Sequence, residues 1–400
     1  MKRISILVGC SLAAIGALSG IAAIAAPSQA LITLRQHMLD ADINTLTFHS
    51  MDKMFDTLKV PNAGPVWKLK EKPAPLDFSY EFDGKTIPAT DFLVRTYTNA
   101  ILIIRDDKIV FEKYLNNTND NTHFISMSMA KSITSTLIGM AIEDGKIGSV
   151  NDQIVKYVPE LKGTGYDGVT IRQALMMRSG VDWNERYDFG KQSPMQKLHE
   201  AAIVENRIRF TDPALHAKRI HEPGKVFNYS TLETGVLGWV LRRAVEEPIQ
   251  EYMADRWWKR AGMQSYGFWI ADGPPGVGKA VNGMGFNATL RDYARFGLMM
   301  LHNGKANGQQ LVPAAWVKQA TIPDGTEPTG PGAPLGYQYQ WWTLTNSDAY
   351  TAIGLQGQFT YVDPSTNTVV VKLSFFPPGN TDAEDETIAF LRAVSRWSPK

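Results

Sequence analysis

Cysteine is almost missing from this chain: Cys10 is the one cysteine in 400 residues. It stands inside an apolar N-terminal run, so a chain cleaved after that run has none. That excludes disulfides, a cysteine nucleophile and cysteine-ligated metal together. Net charge is close to absent as well, at +1, and no basic stripe is interleaved with aromatics, which removes nucleic acid from the expected partners. No Gly-x-Ser-x-Gly elbow occurs. No His-Glu-x-x-His occurs either: His199-Glu200 and His221-Glu222 lack a second histidine at the required spacing, and the 7 histidines are scattered. No internal repeat is apparent. What remains is an ordinary globular composition, 44% apolar and 20% charged, in a chain long enough for one large or two ordinary domains.

Lys2 and Arg3 precede an Ala/Gly/Ile-rich run over 4–26, and small residues suited to cleavage follow near 25–30. Residues 1–30 therefore read as an export signal, and the expected location is periplasmic or secreted. The run is also long enough for an uncleaved anchor, the one membrane contact expected. Leu7-Val8-Gly9-Cys10 resembles a lipoprotein cleavage box, but six residues precede it and the apolar run continues past it, so cleavage is preferred to lipidation.

Further along, residues 31–90 begin amphipathic and pass into a Pro-rich segment over 61–75. The apolar runs 100–104 and 109–111, joined by Arg105-Asp106-Asp107-Lys108, predict a hairpin. From 142 to 301 helical periods dominate, most clearly over 170–177, 231–246 and 290–301. β character returns over 337–344, 350–363 and 368–376, with Asp363-Pro364-Ser365 as a turn, and a helix over 383–397 closes the chain. The expected fold is α/β, an α+β sandwich: an antiparallel sheet flanked by helices with an inserted all-helical domain. Residues 31–125 plus 302–400 would form the α/β domain from both chain ends, and 126–301 the mostly helical one. The site is expected at their junction.

Ser128-Met129-Ala130-Lys131 opens an apolar helix with Ser126 as the expected N-cap and Gly145 as its stop. Ile133, Leu137, Met140 and Ala141 give it a buried stripe. Residues three apart share a helix face, so the Ser128 hydroxyl and the Lys131 amine would lie side by side in the first turn, where free N–H groups favour developing negative charge. Alone, the tetrapeptide reads more readily as a capping serine and a solvated lysine than as an activated serine. Downstream, the segment 221–231 leads into another apolar helix and presents Tyr229 where loop meets helix. One decoy is Gly273-Pro-Pro-Gly-Val-Gly278-Lys279, which fits a phosphate loop. Ala280 stands where a hydroxyl is needed, and Asn282-Gly283-Met284-Gly285 discourages the helix that must follow, so it reads as a Gly/Pro surface loop.

With these residues in hand, the chain resembles the serine β-lactamase-like superfamily, the group of class C β-lactamases, D-Ala-D-Ala peptidases and esterases, from about 101 to 376. Ser128-x-x-Lys131 is similar to its nucleophile motif and Tyr229-Ser230-Thr231 to its Tyr-x-Asn/Ser motif. Asp144-Gly145-Lys146-Ile147, the 169–175 segment with Ser179-Gly180, and Pro223-Gly224-x-x-Phe227-x-Tyr229-Ser230 match its connecting segments. The family's Lys/His-Thr-Gly strand corresponds to Ala352-Ile353-Gly354-Leu355. The resemblance implies Ser128 as nucleophile, Lys131 as base and Tyr229 as proton carrier. It implies an oxyanion hole from the Ser128 and Leu355 N–H groups, with Gly354 letting substrate lie against the strand. Lys131 would be made neutral by burial and nearby positive charge. Ala352 replaces the lysine that meets the β-lactam carboxylate, which weakens the case for a penicillin substrate.

Within that superfamily the pattern is similar to the 6-aminohexanoate-dimer hydrolase subgroup and its carboxylesterase relatives. Gly354-Leu355-Gln356-Gly357-Gln358 resembles a Gly-Ile-His-Gly-Gln stretch, with Gln356 departing from the His. The loop Ser179 to Asp188 carries Tyr187 where a substrate-contacting tyrosine is expected, and Asn287 falls at a variable pocket position. Gly354, Gln356, Tyr187 and Asn287 are therefore the implied substrate contacts, the last two with packing as an equal alternative. Trp183, Trp239, Trp257, Trp258, Trp269, Trp341 and Trp342 either line a cleft or fill the core. The expected activity is an exported serine esterase or amidase acting on a small-molecule ester or linear amide, with no metal and no organic cofactor. The alternatives are a D-Ala-D-Ala carboxypeptidase or class C-type β-lactamase, and a non-catalytic binding module on the same fold.

Overall fold

The computed structural model describes residues 26–186, 193–325 and 335–399. The expected signal core with Cys10, and Tyr187, lie outside the described residues. No helix among the described residues is long and apolar enough to cross a membrane.

The apolar run of Thr98–Arg105 has the period-2 logic of a strand buried on both faces. Ala100, Leu102 and Ile104 join one core cluster, while Ile101 and Ile103 join the other. Asp106 and Asp107, both at positive φ, make the two-residue turn to Lys108–Tyr114. Around this hairpin an eight-stranded sheet assembles, in the order Leu335–Gln338, Trp341–Leu344, Tyr350–Gly354, Gln358–Asp363, Thr368–Ser374, Thr98–Arg105, Lys108–Tyr114 and Lys70–Glu71. All neighbours are antiparallel except the last pair. Both chain ends supply its strands. The closing helix Thr381–Arg396 covers one face, with Phe390, Leu391 and Val394 against Ile101, Ile103 and Val370. On the other face lie Met129–Glu143 and Leu290–Leu301. The second of these sits so close that a Cβ on Gly297 would stand 2.5 Å from Val369 Cγ1.

The middle of the chain is not all helical as the periodicity suggested. Gly267–Ile270 and Phe286–Thr289 are strands, and they form a four-stranded sheet with Thr57–Val60 and His123–Ile125. Each is four residues or fewer, and the outer two partners come from outside the stretch, so no local pattern reveals them. The late β region likewise contains five strands rather than three. Tyr339 and Gln340 break one, and Gln356 with Gly357 breaks another, all four at positive φ.

A buried ion pair holds the start of the Leu290–Leu301 helix. Asp292, fully buried, accepts from Arg295 at 2.9 Å, from the N–H groups of Gln264 and Ser265 at 2.8 and 2.9 Å, and from Thr289 Oγ1 at 2.9 Å. Removing one partner of such a pair strands the other in low dielectric. Asp292→Ala is expected to cost about 3–5 kcal/mol, checked by urea unfolding followed by tryptophan fluorescence.

Candidate active site

The short strand His123–Ile125 delivers the chain to the Ser128 helix. Ser126 is not its N-cap: the Ser126 N–H is drawn to Phe286 O at 2.7 Å, and the helix begins at Met129 with Ser128 in the cap position. Ser128 makes no side-chain cap bond, so its hydroxyl is not spent on the helix end. Met127, just before it, is held at φ 43°, a left-handed conformation costly for a non-glycine residue and common at functional turns. Gly145, at φ 69°, stops the helix as expected from its position.

Lys131 is 1% exposed, and its amine donates to Ser128 Oγ at 2.9 Å, Thr231 Oγ1 at 2.9 Å and Gly283 O at 3.0 Å. Burial pushes this amine down to about 8, while the negative charge of Glu185 opposes the fall. The neighbouring charge is therefore negative, not positive as the sequence reading had it, and desolvation alone drives the shift. Gly283 is required for this approach: a Cβ there would stand 2.5 Å from Thr231 Cγ2.

Tyr229 lies between Lys131 and an aromatic wall. Its ring is 4.9 Å from Lys131 Nζ, stacks on Trp342 at 5.7 Å, and meets Tyr337 edge-on at 6.1 Å. Burial holds its hydroxyl well above the ordinary tyrosine range, and a hydrogen bond with Ser128 works against that rise. Of the seven tryptophans considered for a cleft, Trp257, Trp258, Trp269 and Trp341 are core. Trp342 and Trp183 reach the site.

Gly354 ends its strand against the Ser128 turn. A Cβ there would stand 2.2 Å from Ser126 O and 3.0 Å from Met127 Cβ. Leu355 follows in the turn to Gln358, and neither its N–H nor that of Ser128 is taken up by a turn hydrogen bond among the described residues. The Gln358 amide braces this turn, donating to Gln356 O at 3.1 Å and Ser374 O at 2.8 Å. Gln356, expected as a substrate contact, is 5% exposed and donates to Leu39 O at 2.8 Å, so its side chain braces the N-terminal segment. Asn287 is fully buried in the four-stranded sheet and donates to Gly285 O at 3.1 Å. As folded, both side chains are buried.

Two residues at the centre of the site had no role in the sequence reading. Thr231, 1% exposed, accepts from Lys131 and donates its hydroxyl to Glu185 Oε1. Glu185 Oε2 accepts the Thr231 N–H at 3.0 Å and the Trp183 Nε1–H at 2.5 Å. The loop carrying Glu185 is pinned at several points. Ser179 donates to the buried Glu233, Gly180 packs on His221 O, and Asn228 Nδ2 donates to Trp183 O at 2.9 Å. Burial raises the Glu233 carboxyl to about 8 against the hydrogen bonds from Ser179. The Gly273–Lys279 segment closes on itself as a loop, with Gly278 N–H on Pro274 O and Lys279 N–H on Asp272 Oδ1, and no helix follows it. No group of three or more His, Cys, Asp or Glu side chains among the described residues is placed to hold a metal ion.

A serine at a helix head, a buried lysine on its hydroxyl, a tyrosine beside both and a sheet edge packed on the turn form the arrangement expected of a serine hydrolase of the β-lactamase-like fold. The Beta-lactamase family profile matches residues 93–394, and the chain belongs to that family. Among its relatives is a 6-aminohexanoate-dimer hydrolase of Paenarthrobacter ureafaciens, 31% identical over 303 residues, 72% of this chain and 75% of that one. A solved Bacillus anthracis protein, provisionally assigned as a 6-aminohexanoate-dimer hydrolase, superposes with a TM-score of 0.82 at 25% identity, covering 92% of this chain and 98% of that one. EstCE1, a hydrolase with promiscuous acyltransferase activity, shares the fold at a TM-score of 0.60 and 16% identity over 76% of this chain and 94% of its own.

The contact at Gly354 is testable. Gly354→Ala drives a methyl into the Ser126 carbonyl and is expected to displace the Ser128 turn. Turnover of a nitrophenyl ester should fall by about tenfold or more while circular dichroism stays native.

Proposed function

We propose that this chain is an exported hydrolase that cleaves carboxylic esters or linear amides through an acyl-enzyme on Ser128. The observation that carries this is the 2.9 Å contact between the buried Lys131 amine and Ser128 Oγ at the helix head. Neutral Lys131 takes the Ser128 proton as Oγ attacks the carbonyl carbon, and the oxyanion rests on the Ser128 and Leu355 N–H groups. The proton passes through Tyr229 to the leaving alcohol or amine as the bond to carbonyl carbon breaks. Water then repeats the sequence on the acyl-enzyme: Lys131 takes its proton, the acid leaves, and Ser128 Oγ recovers a hydrogen. This is serine–lysine chemistry with the logic of a catalytic triad.

A linear amide or short ester fits better than a penicillin for two reasons. Ala352, fully buried on the strand before Gly354, supplies no cation for a β-lactam carboxylate. A relative that shares 303 residues with this chain carries the name 6-aminohexanoate-dimer hydrolase, and such a dimer is joined by a linear amide. Gly354 is proposed to let the substrate lie along the strand. Tyr187, outside the described residues, is retained as a proposed contact on the resemblance of its loop.

Intact-mass analysis after a fluorophosphonate probe, beside turnover of a nitrophenyl ester, a linear aminohexanoate dimer and nitrocefin, tests this reading. One adduct on the wild type and none on Ser128→Ala are expected, with the ester or dimer turned over in preference to nitrocefin. An adduct that survives Ser128→Ala moves the nucleophile elsewhere, and preferential nitrocefin turnover favours a β-lactamase. The pH profile is a second check. Because Lys131 acts only when neutral, and its amine is lowered to about 8, acylation should rise with pH and level off above about 8. A rate that is flat from pH 6 to 10 would refute the assignment of the base.

A further inference from the structure

The Lys131 amine has three neighbours, and two of them must accept. Gly283 offers a carbonyl, which has nothing to donate. The Thr231 hydroxyl is free in principle to turn either way, since it carries one donor and two lone pairs. Its proton is engaged by Glu185 Oε1, so toward Lys131 it presents a lone pair. When Lys131 is neutral, its two N–H donors therefore go to Gly283 O and Thr231 Oγ1, and its lone pair points at the third neighbour, Ser128 Oγ.

We propose that Glu185 is a positioning residue that acts through Thr231: by accepting the threonine hydroxyl's hydrogen bond it stops that hydroxyl from donating to the lysine lone pair, which leaves Ser128 as the group Lys131 deprotonates. The inference rests on the acyl-enzyme reading above. Its geometry is specific to a carboxylate. The Oε2 side faces two groups that can only donate, the Thr231 N–H and the Trp183 indole N–H. A glutamine at this position would turn its carbonyl toward those two and its amide nitrogen toward Thr231 Oγ1. Thr231 would then accept from the amide, and its own proton would turn to the lysine lone pair. The base would be quenched although every heavy atom kept its place.

The other titratable groups around the amine do not share this role. Tyr229, on the segment entering the 231–245 helix, offers its ring to Lys131. Glu233, in the first turn of that helix, is engaged by Ser179. Tyr337, on the sheet, packs against Tyr229.

The test compares fluorophosphonate acylation rates of the wild type, Glu185→Gln, Thr231→Val and the double variant across pH. Glu185→Gln is expected to acylate about 10²-fold more slowly than wild type, the lower end of what a general base contributes. Its pH limb should move below that of the wild type, because a negative charge near Lys131 is gone. Adding Thr231→Val should recover about tenfold, because valine has no proton to donate. Wild-type rates in Glu185→Gln, an unmoved limb, or no recovery in the double variant would each overturn the inference. If Glu185→Gln does not fold, Thr231→Val alone decides: less than a tenfold loss is expected, and about 10²-fold or more overturns the proposal. Labelling of the wild type but not Ser128→Ala reports separately on the acyl-enzyme reading, so failure of one is distinguishable from failure of the other.

Discussion

A buried lysine amine is the constraint around which the site is built. An ammonium without water needs an acceptor for each proton, and a neutral amine needs its lone pair kept free. Gly283, Thr231 and Ser128 meet the first need from three separate segments, which fixes where those segments cross. Several otherwise unrelated features follow from that crossing. Gly283 has no side chain because Thr231 lies against it. Thr231 stands in the first turn of its helix, where the N–H it offers Glu185 is one that a helix leaves unpaired. Glu185 in turn requires a loop that Ser179, Gly180 and Asn228 pin in place.

How much of this was legible follows from the range of the interactions. The helix over 290–301 and the hairpin around Asp106-Asp107 were read correctly because each rests on local signals, a 3.6-residue period in one and turn residues in the other. The cap of the Ser128 helix was misplaced by two residues because both candidates are serines. The choice is made by Phe286, whose carbonyl takes the Ser126 N–H from far along the chain. The break at Tyr339-Gln340 was missed because neither residue is a usual breaker, yet both sit at positive φ. Glu185 had no spacing rule to announce it. Thr231 entered only as the third residue of the Tyr-x-Asn/Ser motif, which says nothing of a carboxylate partner.

The aromatic residues show the same limit. Tryptophan content suggested either a cleft or a core, and the chain uses both: Trp257, Trp258, Trp269 and Trp341 fill the interior, whereas Trp342 backs Tyr229 and Trp183 holds Glu185. Nothing in composition separates these groups. What separates them is whether the indole N–H has a carboxylate to meet, as in Trp183, or the ring a tyrosine to stack on, as in Trp342.

The turn after Gly354 is held from an unexpected direction. Gln356 donates to Leu39 O, and Asn44 donates to Phe376 O, so the N-terminal segment is fastened to the edge that carries the Leu355 N–H. That segment is also anchored by the buried Arg35 and by Met38, Phe48 and Met51 in the main core. Loosening of residues 39–44 would strip the Gln356 and Asn44 bonds from that edge, while the Gln358 bond to Ser374 O would still tie the turn to the sheet.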